Sequence, residues 1–90
     1  MAKKYSPEFT QLEFQTIHDK VAELEDMRLL GGERVSIDAS GAPIVIVMPL
    51  DDGPPKYVIR KEEGRFCLLK GDASKVVAAG KLDEILAALP

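Results

Sequence analysis

The chain has no tryptophan, one cysteine and one histidine, and its longest apolar run is the stretch from Ala42 to Leu50. Each shortage excludes something. A lone Cys67 cannot close a disulfide within the chain, so the fold is expected to rest on its core in a reducing setting. The apolar run falls well short of the ~20 residues a helix needs to cross a bilayer, so no membrane contact is expected. One histidine leaves a metal cluster or a histidine-based proton relay without companions. Charge of one sign is scarce as well. Twelve Lys and Arg stand against fifteen Asp and Glu for a net charge of −3, too near neutral for binding driven by long-range charge. The start "MAKKYSPEF" has two lysines but no apolar stretch behind them, so a cytoplasmic protein is expected.

What is present is an ordinary globular composition, 46% apolar and 30% charged over 90 residues. A chain this long buries roughly 60–65% of its unfolded surface, so residues 1–90 are read as one small domain with a modest core and residues 1–5 as a flexible start. The charge is divided along it. Residues 1–53 hold five Lys and Arg against ten Asp and Glu, whereas residues 54–90 hold seven against five.

The first element is read as a long helix from Ser6 to about Arg28. Ser6 suits the N-cap, Pro7 the first helical position and Glu8 the first turn. Apolar residues recur at Phe9, Leu12, Phe14, Ile17, Val21, Leu24 and Met27, and the spacing 14, 17, 21, 24 is that of a helical stripe. Gly31-Gly32 is expected to end the helix. The period then becomes two. In "RVSID" Val35 and Ile37 alternate with polar residues, which predicts a strand with one wet face. "IVIVM" is apolar at every position, which predicts a strand covered on both faces. "KYVIR" and "RFCLLK" predict two more strands joined by Glu62-Glu63-Gly64. "ASKVVAAG" fits either a fifth strand ending at Gly80 or a helical turn leading into the last helix, and Val76-Val77 with the following glycine tilt the reading to the strand. "KLDEILAALP" predicts a short helix with Leu82, Ile85, Leu86 and Leu89 on one face.

The order defines an α+β fold: a long N-terminal helix, an antiparallel meander of four or five strands and a short C-terminal helix in two layers. That shape is common among small bacterial and phage proteins. The first helix can cover one sheet face and the short last helix part of the other. Any remaining apolar area calls for a second copy, so a homodimer is expected.

Chemistry is sparse. "PLDDGPPKYVIRK" offers Asp51 and Asp52 side by side, yet a cation site needs oxygen ligands at several alternating positions. Asp and Gly form turns and Pro54-Pro55 forces extended backbone, so the stretch reads as a corner. His18 sits just off the apolar stripe and reads as a surface or boundary residue. Cys67 alternates with Phe66 and Leu68 and reads as inert packing on the other sheet face. No catalytic, cofactor or metal residue is assigned, and an enzyme is not expected. The expected function is a non-enzymatic protein-interaction module, binding through the acidic helix face of Glu13, Glu23 and Glu25 or through an exposed sheet face. The alternative is a nucleic-acid-associated accessory protein using Lys56, Arg60, Lys61 and Arg65, with Tyr57 and Phe66 available for stacking. The helix–strands–helix order is similar in topology to double-stranded-RNA-binding domains, but "GKLDEIL" lacks that family's basic helix start.

Overall fold

The structure is a computed structural model and describes residues 8–51, 53–72 and 74–90. Its order is α1 (Gln11–Asp26), β1 (Gly32–Ile37), β2 (Pro43–Met48), β3 (Tyr57–Glu62), β4 (Arg65–Lys70), β5 (Val76–Gly80) and α2 (Leu82–Ala87). The five strands form one antiparallel sheet in the order β1-β2-β3-β4-β5. This is the α+β meander that the periodicities predict, with "ASKVVAAG" supplying the fifth strand.

The first helix starts later than expected. Ser6 and Pro7 lie outside the described residues, and Glu8 precedes the helix instead of lying in its first turn. The cap is Thr10. Its hydroxyl accepts the Glu13 N–H at 3.1 Å while the Glu13 carboxylate accepts the Thr10 N–H at 2.8 Å, so two otherwise unpaired donors are satisfied at once. Phe9, just before the cap, stacks on Phe14 at 5.1 Å between ring centroids. That contact is a hydrophobic staple, and it fixes the entry of the chain. Phe9 also packs on Phe66 at 5.9 Å, so the same ring ties the helix start to the sheet.

The end of α1 is closed by Arg28, not by the glycine pair. Arg28 takes a left-handed φ of 61°. The Leu29 N–H then reaches the Leu24 carbonyl and the Arg28 N–H that of Glu25, both at 2.9 Å, which is the double closure of a Schellman end. Gly31 serves the sheet instead. A Cβ there would collide with the Pro49 carbonyl, where the Gly31 N–H bonds Met48 at 2.9 Å.

Both helices lie on one face of the sheet. Ile17, Val21 and Leu24 of α1 and Ile85 and Leu86 of α2, with Leu89 just beyond it, join Val45, Val47, Ile59, Phe66 and Leu68 in a single core. This corrects the expectation that α2 covers part of the opposite face. The tether is short: α2 begins two residues after β5 ends, and Ile85, Leu86 and Leu89 turn toward the side where α1 already supplies an apolar surface. The expected stripe of α1 is also narrower than predicted, since Leu12 is 75% and Met27 60% exposed. Val35 and Ile37, expected as the dry face of their strand, are 59% and 67% exposed, because α1 does not reach past the β1 edge.

Candidate functional site

The strand registers sort the sheet into two surfaces. Val45 lies beside Ile59, Ile59 beside Leu68 and Leu68 beside Ala78; this row faces the helices. One residue along, Ile46 lies beside Val58, Val58 beside Leu69 and Leu69 beside Val76. This second row points the other way, because successive side chains alternate. Ile44 and Met48 flank it on β2. Val58 and Leu69 are buried yet stand outside the helix-side core, Ile44, Ile46 and Met48 are half-buried, and Val76 is exposed. Within one chain the strand "IVIVM" is therefore covered on one face only, and the helices do not supply the second cover that its apolar run calls for.

The open face carries Arg34 and Ser36 beside Ile46 and Ile44, and its ion pairs gather toward one end. Arg60 lies opposite Cys67, and Glu62 opposite Arg65. The Arg60 guanidinium contacts Glu62 at 3.0 Å and reaches Asp38 at 4.0 Å. Asp38 holds the β1–β2 turn: its Oδ1 accepts from the Ser40 N–H, the Ser40 hydroxyl and the Ala42 N–H. Those donors, the Ser40 bond first, hold its carboxyl below the usual carboxylate range, with Arg60 adding to them. Cys67 is half-buried on this face with its thiol free, the placement that its alternation with Phe66 and Leu68 predicts.

The four cations of the nucleic-acid alternative do not share a surface. Arg60 and Arg65 lie on the open face, whereas Lys61, opposite Phe66, lies on the helix side. Its ammonium bonds the Glu13 carboxylate at 2.8 Å and the Glu8 carbonyl at 3.2 Å, and stands 5.6 Å from the centre of the Phe66 ring. Glu13 is thereby drawn into the fold. Burial pushes its carboxyl up, but the Lys61 ammonium and the Thr10 N–H together hold it below its ordinary value. Of the acidic helix set, Glu23 and Glu25 remain on the exposed side of α1, with Glu23 3.7 Å from Lys20.

Lys56 belongs to the corner at residues 49–56. Asp51 accepts the Gly53 N–H at 3.0 Å, the side-chain-to-backbone bond of an Asx turn; Asp52 lies outside the described residues. A Cβ at Gly71 would strike the Pro55 carbonyl, so the corner packs backbone against backbone on the β4–β5 turn. The two segments enclose a wide, open hollow of about 590 Å³, lined by Pro54, Pro55, Lys56, Tyr57, Lys70, Gly71 and Asp72. Asp72 turns its carboxylate back onto the Ser74 N–H at 3.0 Å. Among the described residues, no three of the His, Cys, Asp and Glu side chains converge as metal ligands would.

His18 is exposed, as the sequence suggests, but it has a partner. Its Nδ1 lies 3.0 Å from the Glu33 carboxylate, linking α1 to β1. The Glu33 bond and charge raise the imidazole above its ordinary pKa.

The open face itself was readable in part. Doubly apolar β2 was one sign; the adjacent pairs Val58-Ile59 and Leu68-Leu69 repeat it on two further strands, since neighbouring residues face opposite ways. No family model, no curated protein and no solved structure matches this chain. Among the described residues, no helix is long and apolar enough to cross a membrane.

Proposed function

We propose that the protein is a non-enzymatic, self-associating interaction module whose open sheet face is covered by the same face of a second copy. The observation that carries this is the one-sided placement of the helices, which leaves the row Ile46, Val58, Leu69 and Val76, flanked by Ile44 and Met48, without a covering layer. Strand spacings of about 4.8 Å and rises of about 3.3 Å give four six-residue strands and the five-residue β5 a projected area of roughly 460 Å². Polar residues take part of that area and Val58 and Leu69 are already buried among their neighbours, so the apolar surface left exposed is no larger than the lower end of the roughly 300–600 Å² patch that a monomer carries. Two such faces stacked bury roughly 900 Å² in total, near the threshold of a specific interface. The assembly is accordingly a dimer that dissociates on dilution. Arg60 supports the same reading: its charge is matched within its own chain by Glu62 and Asp38, so covering it does not strand its charge, while Arg34 stands on the edge strand at the rim of the face.

The test is light scattering after size exclusion over a dilution series, with absorbance at 260 and 280 nm. A mass approaching twice 9.8 kDa at high concentration, lost in Ile46→Lys, is the expected result. A monomer at every concentration overturns the proposal. Excess absorbance at 260 nm that high salt removes would put a nucleic-acid partner in its place.

A further inference from the structure

The two edges of the sheet are built differently. The five-residue β5 carries a register shift opposite Leu68 and Leu69 that leaves Val77 as an extra, unpaired residue, and lysines stand on either side of it at 75 and 81. A bulge, short length and flanking lysines are the devices that blunt an edge. None of them is found in β1. It pairs with β2 in unbroken register over six residues, contains no proline, and presents exposed Val35 and Ile37. The Asp38 N–H bonds the Ala42 carbonyl at 2.9 Å. Antiparallel alternation therefore turns the peptide groups of Ser36 and Arg34 toward β2 and leaves those of Glu33, Val35 and Ile37 pointing outward.

We propose that β1 pairs antiparallel with β1 of a second copy about a twofold axis at Ser36, joining the two sheets edge to edge. A twofold that keeps the helices of both copies on one side of the joint sheet must be centred on a residue. Centring on Arg34 sets two guanidinium groups against each other. Centring on Val35 sets Glu33, already held by His18, against an isoleucine. Centring on Ser36 places Val35 opposite Ile37 of the second copy twice, and Arg34 opposite its Asp38 twice. Apolar and opposite-charge pairs of this kind favour a register, and like charges disfavour it. Asp38 has room for the added cation: its Oδ1 is taken up by Ser40 and Ala42, whereas Oδ2 has Arg60 only at 4.0 Å. This contact is distinct from the stacked open faces, and either can form without the other. The edge contact is the weaker of the two, too short-lived to raise the mass of a diluted sample, and a disulfide is needed to catch it.

The experiment is disulfide trapping in an Ile46→Lys, Cys67→Ala background, which removes the stacked-face contact and the native thiol. Ser36→Cys, Val35→Cys and Arg34→Cys are compared under oxidised glutathione by non-reducing electrophoresis, with circular dichroism confirming that each is folded. Opposite residues that do not exchange ladder bonds approach to within disulfide reach, so Ser36→Cys is expected to cross-link about tenfold faster than the other two. Adding Val35→Pro should abolish that link, because the lost N–H points away from β2 and the internal ladder survives. Faster linking through Val35→Cys overturns the register. Equal rates in all three, or linking unaffected by Val35→Pro, overturn the contact. Failure of the stacked-face reading shows separately, as a mass in Ile46→Lys unchanged from that of the parent.

Discussion

The two faces of this sheet draw on the same strands and meet opposite fates. On the helix side Val45, Val47, Ile59 and Leu68 are sealed by residues of both helices. On the open side Ile44, Ile46 and Met48 are half-buried against their own neighbours. The difference teaches that burial in a two-layer fold is decided by where the connections allow the helices to go, since apolar content alone does not separate the faces. Residues 44 to 48 are apolar throughout, yet only alternate ones reach the core. The comparison breaks most sharply on a pair of truncations. Ile59→Ala, at a fully buried position, is expected to cost about 3–4 kcal/mol, in the range of core cavities. Ile46→Ala should cost roughly 1 kcal/mol or less in the monomer and act mainly on association. Urea unfolding at low protein concentration measures both; equal costs would mean that the open face is as well packed as the core.

The sequence carried more of the fold than of the surface. Strand patterning placed the first four strands, because a period of two survives in "RVSID" and the doublets Val58-Ile59 and Leu68-Leu69 still mark paired strands; the fifth rested only on the strand preference of Val76-Val77. Patterning could not say which face each helix takes, since Leu82, Ile85, Leu86 and Leu89 form an apolar stripe that would suit either side. Helix limits failed for a different reason. "SPE" at residues 6–8 and "TQLE" at 10–13 both satisfy capping rules, and the choice between them falls to Phe9, whose staple onto Phe14 is local but whose contact with Phe66 is long-range and invisible to a local pattern. The candidate cations divide between surfaces for a reason that strand alternation alone could have shown. Lys61 and Arg60 are neighbours in the chain and therefore sit on opposite faces, one on Glu13 and the other on Glu62.

That cross-link between Lys61 and Glu13 sharpens the comparison, because it pins the covered face to the helix start. Removing it with Glu13→Ala is expected to cost about 1–2 kcal/mol, the range for a lost cap, and it also leaves Lys61, only 11% exposed, without its carboxylate. The pH sign follows from the lowered carboxyl. The contribution is present above the ordinary value of 4.5 and is lost as pH falls through the folded-state value. Thermal unfolding between about pH 6 and about pH 3 should show the parent losing more stability than Glu13→Gln, in keeping with linkage. Parallel curves would remove Glu13 from the account of acid stability.

Arg28 offers a smaller gain on the same covered side. A left-handed arginine costs about 1–2 kcal/mol, and a glycine there returns about 0.5–1 of it to the unfolded chain. Arg28→Gly should therefore stabilise by about 0.5–1 kcal/mol, a rise of several degrees in Tm for a chain of this size. A fall in Tm would mean that the arginine side chain holds the helix end in some way its backbone angle does not reveal.

The smallest effect expected belongs to the bond between α1 and the exposed edge, His18 to Glu33. The imidazole is raised above its ordinary value of 6.5, first by the Glu33 hydrogen bond and charge, with Asp19 and Glu25 adding to it. A raised cationic group stabilises the fold fully below its unfolded value and loses that contribution as pH climbs through its folded value. The parent should accordingly lead His18→Gln in Tm near pH 5.5 by a margin that shrinks by about pH 8.5, the direction linkage requires. Both groups are at the surface, so about 1 M salt should narrow the margin at the lower pH as well. A margin that stays constant across the range would mean that α1 is held over the sheet by the core Ile17 shares with Val45 of β2 rather than by this charge, and that the β1 edge keeps its position whatever the protonation of His18.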